Sequence, residues 1–173
     1  MKHQLCLFGF FVATIVHQPA GAEMVAVSAD HFHLKLTAGS KLSPVKLWQR
    51  LVVPGQWWHS DHTYSGDSEN MSIDVQAGGL WREDWDKGSV AHGRVLFVQA
   101  PELLRLDAPF GPLQALSVHS TWTIRIMPEG AGSVVTFEVV ANGTVQSKLD
   151  QLAPAVEQVK QQALQALVSV QGE

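Results

Sequence analysis

The spacing of apolar residues changes from one stretch of this chain to the next, and each change predicts an element. Residues 5–16 are apolar apart from Gly9 and Thr14. From Val25 the apolar positions become Val25, Val27, Phe32, Leu34 and Leu36, largely alternating as a half-buried strand requires. Ser43-Pro44 then opens a short helix bearing Val45, Leu47, Trp48 and Leu51, because serine is favoured as an N-cap and proline at the first helical position. Pro54-Gly55 ends it. Residues 56–70 are polar, aromatic and turn-rich, which predicts a loop.

A meander follows. Residues 71–76, 80–85, 89–99, 103–107, 118–127 and 133–140 read as strands, and turn residues such as Ala77-Gly78-Gly79 and Asp86-Lys87-Gly88 separate them. Pro109 to Pro112 interrupts the pattern. The chain closes with apolar residues at Leu149, Leu152, Ala153, Val156, Val159, Ala163, Leu164, Leu167 and Val170, the spacing of one helical face. Gln, Glu and Lys are expected on the opposite face, and Asp150 in the capping turn. This order predicts an α+β domain with a curved antiparallel sheet of about seven strands wrapped on the long C-terminal helix, and a short helix after the first strand. A sheet gripping a helix in this way encloses a cavity.

Composition adds limits. The apolar run at 5–16 follows Lys2 and precedes the small residues Ala20-Gly21-Ala22, so residues 1–22 read as a cleavable signal peptide and 23–173 as one domain, periplasmic or secreted. A spanning helix needs about 20 apolar residues, and His17, Gln18 and Pro19 stop this run short, so no integral membrane segment is expected after cleavage. Cleavage removes Cys6, the only cysteine, and with it any disulfide or thiol nucleophile. The formal net charge is −4 and no Lys/Arg cluster occurs, which argues against a nucleic-acid partner.

The order of elements resembles the helix-grip fold of the START and polyketide-cyclase (SRPBCC, Bet v 1-like) superfamily. The local words Trp57-Trp58, His62-Thr63-Tyr64-Ser65-Gly66, Gly78-Gly79, Glu83, His92, Gly111-Pro112-Leu113-Gln114 and Ala153-Pro154-Ala155-Val156 resemble its exported bacterial branch. Members of that branch carry cysteines near the positions held here by Leu80 and Arg82, so the resemblance implies no thiol role. It implies the fold; it leaves function open among lipid carriers, cyclases, hormone receptors and chaperone partners.

Six residues are the candidate ligand-binding set: Trp57, Trp58, His62, Tyr64, Glu83 and His92. Adjacent tryptophans in a polar loop either cover a ligand or plug the end of the sheet core, with one ring left half exposed. Glu83 and His92 sit on strands joined by a tight turn, and register decides whether they meet in the cavity or on the surface. Strand parity places His92 with Val90, Leu96 and Val98 but also with Arg94. His59, Asp61 and His62 match no zinc motif, so no metal and no cofactor is expected. The expected occupant is a small hydrophobic or amphipathic molecule. The alternatives are a cyclase or lyase using His92 or His62 as acid and base, and a protein-interaction module of the envelope.

Overall fold

The computed structural model describes residues 21–169. The expected signal peptide therefore lies outside the described residues, except for Gly21 and Ala22. The strands are β1 (Gly21–Ser28), β2 (His31–Ser40), β3 (Met71–Ile73), β4 (Leu80–Trp85), β5 (Gly88–Gln99), β6 (Leu103–Asp107), β7 (His119–Glu129) and β8 (Gly132–Asn142). The helices are α1 (Pro44–Leu51), α2 (Pro112–Ala115) and α3 (Leu149–Val168). All eight strands form one curved antiparallel sheet in the order β1-β2-β8-β7-β6-β5-β4-β3. This is the α+β helix-grip architecture the residue pattern predicts.

The N-terminal alternating run is two strands, not one. Ala29-Asp30 turns the chain, Val27 comes to pair with Phe32, and Ser28 Oγ donates to Asp30 Oδ1 at 2.7 Å to hold the turn. Val25 and Val27 are left exposed on the sheet's edge, while Phe32, Leu34, Leu36 and Ala38 of β2 are buried. The inward positions of β8 (Val135, Phe137, Val139 and Ala141) continue that surface.

Helix α3 lies mainly against β2, with further contact to β1 and β8. Leu149, Ala153, Ala163, Leu164 and Leu167 are fully buried against the sheet. Burying a leucine side chain in this way contributes about 1.5–3 kcal/mol. Lys148, in a left-handed conformation, caps the helix, and Asp150 stands in its first turn as an acidic residue favourable to the helix dipole. Leu152, Val156 and Val159 share the inward side yet remain half-buried, because they face an open space rather than the sheet.

Two β-bulges shape that space. Trp81 pairs with Gly93 and Arg82 with Ala91, so His92 is an extra residue on β5. Val95 pairs with Leu106 and Phe97 with Arg105, so Leu96 is a second. A bulge bends its strand and re-aims a side chain. Strict parity therefore fails along β5. His92 and Val95 are buried, whereas Leu96, expected to share the face of His92, is 47 % exposed, and Arg94 is exposed as well. Gly93 is needed at the first bulge, since a Cβ there would lie 2.7 Å from the Asp107 carbonyl oxygen.

Candidate functional site

Glu83 and His92 meet inside the molecule. Alternation on β4 turns Trp81 and Glu83 inward, both fully buried, and the bulge delivers the His92 ring to the same place. His92 Nε2–H donates to Glu83 Oε2 at 2.9 Å. The backbone amides of Tyr64 and Ser65 donate to the same carboxylate, Tyr64 at 3.1 Å. One carboxylate thus ties the 56–70 loop to the sheet and orients an imidazole.

The electrostatics follow from that geometry. Burial alone would raise the Glu83 carboxyl, but the donors from Ser65, Tyr64 and His92 outweigh it and hold the group below its ordinary value. Burial pushes the His92 imidazole down, more than the neighbouring Glu83 can restore, and Lys160, where it carries a proton, adds to the depression. At neutral pH the pair is a carboxylate and a neutral imidazole with its proton on Nε2, which leaves Nδ1 as a lone pair.

Above this pair lies a cavity of about 290 Å3, between α3 and the sheet. That places it near the lower end of the range for small-molecule sites. Its walls are largely apolar, with Phe110, Leu113, Val139, Leu152, Val156 and Val159 prominent. His92, Ser120 and Lys160 are the buried polar side chains that reach it.

Four of the six expected residues border this cavity: Trp58, His62, Tyr64 and His92. Trp58 is buried, its indole N–H donating to the His62 carbonyl at 3.0 Å. His62 Nε2–H donates to Gln162 Oε1 at 2.7 Å, joining the loop to α3. Tyr64, 55 % exposed, stands at the rim with its ring 5.8 Å from that of His92. Trp57 does not border the cavity. It packs behind Trp58 and Trp81 at 5.8 and 5.7 Å, its N–H donating to the Leu51 carbonyl. Neither indole is half exposed, contrary to the plug reading. Glu83 lies behind His92 and acts on the cavity through it. Among the described residues, no three His, Cys, Asp or Glu side chains converge as an ion site. His59 is exposed and turned to the Asp61 amide.

The residue the pattern misplaced is Lys160. It is 3 % exposed, on the inward face of α3 rather than the polar one. Its Nζ has no hydrogen-bond partner among the described residues and lies over the rings of Trp122, Phe110 and Trp58 at 3.2, 4.2 and 5.1 Å. Burial pushes this amine well below its ordinary value. Position 160 follows Val156 by four and precedes Ala163 and Leu164 by three and four, so the periodicity itself marked it as inward. Phe110, stacked on His92 at 5.1 Å, and Ser120, whose Oγ is buried without a partner among the described residues, were also missed.

An antiparallel sheet gripping a C-terminal helix around a cavity defines the helix-grip class. No family model matches the chain, and no curated protein does. Solved structures match it in fold. A protein of Rhodobacter sphaeroides superposes with a TM-score of 0.54 at 17% identity, over 86% of this chain and 96% of that one. CalU16 of Micromonospora echinospora gives 0.51 at 14%, over 86% and 84%. The Aha1 dimer of Colwellia psychrerythraea gives 0.50 at 15%, over 81% and 98%. At such identities the likeness is one of fold.

Proposed function

We propose that this protein is an exported START-like binder, which holds one small, mainly apolar molecule in the cavity between α3 and the sheet. The observation that carries the reading is the cavity itself, an apolar chamber with a few buried polar groups, two of which have no partner among the described residues. Unpaired buried polar atoms are costly, and a ligand that pairs with them removes the cost. Trp58 and Tyr64 would cover the molecule, and His62, bonded to Gln162, would hold the loop over it. Export rests on residues 1–22 alone; cleavage after Ala22 would still leave Glu23 to Ser28 in β1.

Native mass spectrometry of protein recovered from its own host tests both halves. The expected result is a chain beginning at Glu23 with a small molecule retained after desalting. An apo mass, together with no thermal shift across a panel of apolar alcohols, acids and aromatics, would overturn the binding reading. A second reading is favoured by the buried Glu83–His92 pair: an enzyme in which neutral His92 is the base and Glu83 its orienter. His62 suits that part less, since its Nε2 is engaged by Gln162. Under this reading His92→Gln abolishes turnover while ligand affinity survives. Under the binding reading affinity itself falls.

A further inference from the structure

We infer that Lys160 is a nucleophile, and that the cavity takes an apolar aldehyde or ketone which it holds as an imine on Nζ. The inference rests on the binding reading above and narrows its ligand to one chemical class.

The argument begins with what surrounds the amine. Among the described residues no carboxylate lies within ion-pair distance of Nζ and no group accepts its hydrogens; three aromatic faces are its neighbours. An ammonium there would lose its water and gain no anion, and ring faces restore only part of that loss. The amine is therefore held neutral, with its lone pair intact, as desolvated nucleophilic lysines are. Lys160 is among the residues that line the cavity, so its side chain borders the space a ligand would fill.

Charge separates a carbonyl compound from a carboxylic acid. Carboxylate charge already stands at this chamber: Asp61 is in its lining, and Glu83 lies behind His92, whose imidazole is neutral. An anionic ligand would meet that charge across an apolar chamber. A carbonyl compound brings none. Ser120 Oγ, buried in the same lining without a partner among the described residues, is a hydroxyl free to donate to a carbonyl oxygen.

The step balances without any oxidant or reductant. The Nζ lone pair attacks the carbonyl carbon to form the C–N bond, and the C=O π electrons move to oxygen. One N–H proton passes to that oxygen, giving a carbinolamine. The C–O bond then breaks, the second N–H proton leaves with the oxygen as water, and C=N forms. His92 Nδ1, the free lone pair of an imidazole anchored by Glu83, is the base that relays these protons.

Reductive trapping tests this. The whole protein is incubated at pH 6.5 with 3-phenylpropanal or octanal and cyanoborohydride, and the adducts are located by peptide mass spectrometry. Lys35, Lys41, Lys46, Lys87 and Lys148 serve as internal controls. An ordinary lysine with a pKa of about 10.4 is neutral to only about one part in ten thousand at that pH. The expected result is at least about tenfold preference for Lys160, with a trapping rate that climbs less steeply from pH 6.5 to 8 than those of the controls, which rise about tenfold per unit. Lys160→Met should lose the adduct, and the wild-type protein should still show a thermal shift with 3-phenylpropan-1-ol and octan-1-ol, which cannot form an imine. Thermal shifts without a Lys160 adduct, or adducts spread evenly over the lysines, would overturn the imine and leave the binding reading standing. Neither shift nor adduct would overturn both.

Discussion

Replacing Lys160 by methionine should stabilise the protein, by an amount that shrinks as the pH rises. Methionine has similar length and no charge, and it can occupy the space beneath Trp122, Phe110 and Trp58 without an unpaired amine. The magnitude follows from linkage. In the unfolded chain Lys160 binds its proton up to about pH 10.4; in the folded protein burial lowers the amine well below that. Between the two values the unfolded state holds one proton more. Wild-type stability therefore rises by about 1.4 kcal/mol per pH unit from this residue, and the penalty disappears above about pH 10.4. At pH 7.5 the accumulated penalty has a ceiling of about 4 kcal/mol, the same slope taken over the remaining interval. Glu83 and His92, the buried ionisable groups beside the cavity, titrate below their ordinary values of 4.5 and 6.5, outside this range. Urea denaturation of wild type and Lys160→Met at pH 7.5, 8.5 and 9.5 reads the difference directly. A stability difference that is the same at all three would refute the neutral buried amine, and with it the basis for a nucleophile in the cavity.

Two further outcomes test the rest of the site. Glu83→Gln replaces one of the two carboxylate oxygens that accept from His92 and the Tyr64 and Ser65 amides by an NH2 donor, and should cost about 1–3 kcal/mol, as a buried donor left without its acceptor does. Its carboxyl is depressed in the folded state, so its contribution is present above about pH 4.5 and is lost as the pH falls through the folded value. Acid unfolding should thus begin at higher pH in the variant, and hydrogen exchange at Tyr64 and Ser65 should accelerate; unchanged protection of those amides would sink the tether. Gly93→Ala sets a Cβ 2.7 Å from the Asp107 carbonyl and should cost about 1–3 kcal/mol by overpacking, read from the urea midpoint. A neutral result would mean that the bulge tolerates a side chain.

Much of the architecture was written in local pattern. Helix α3, the strands β4 to β8 and the proline-initiated α1 all follow from spacing and turn residues. The β1–β2 turn did not, because Ala29-Asp30 has neither the glycine nor the proline that usually announces a hairpin. Parity along β5 failed for a different reason. The compositional mark of this bulge, Gly93 inside the strand, does not say which residue is the extra one, so whether His92 faced inward was settled by pairing with β4. Lys160 was legible by position and obscured by type: spacing put it inside, and its charge suggested otherwise. Phe110 sits in the short connection around α2, too brief to carry a periodic signal, so only the folded chain shows it stacked on His92.

The sheet order also sets when the molecule can form. Strand β2 lies beside β8, so residues 31–40 pair with residues 133–142, about a hundred positions later. The β1–β2 hairpin can close early, but its inner edge has no partner until nearly the whole chain is available, and α3 comes later still. Contacts so distant along the sequence slow folding and leave strand edges open meanwhile. A chain emerging in order from a ribosome or a translocation channel would thus keep β2 unpaired almost to the end of its passage, at the stage when a holding chaperone has most to protect.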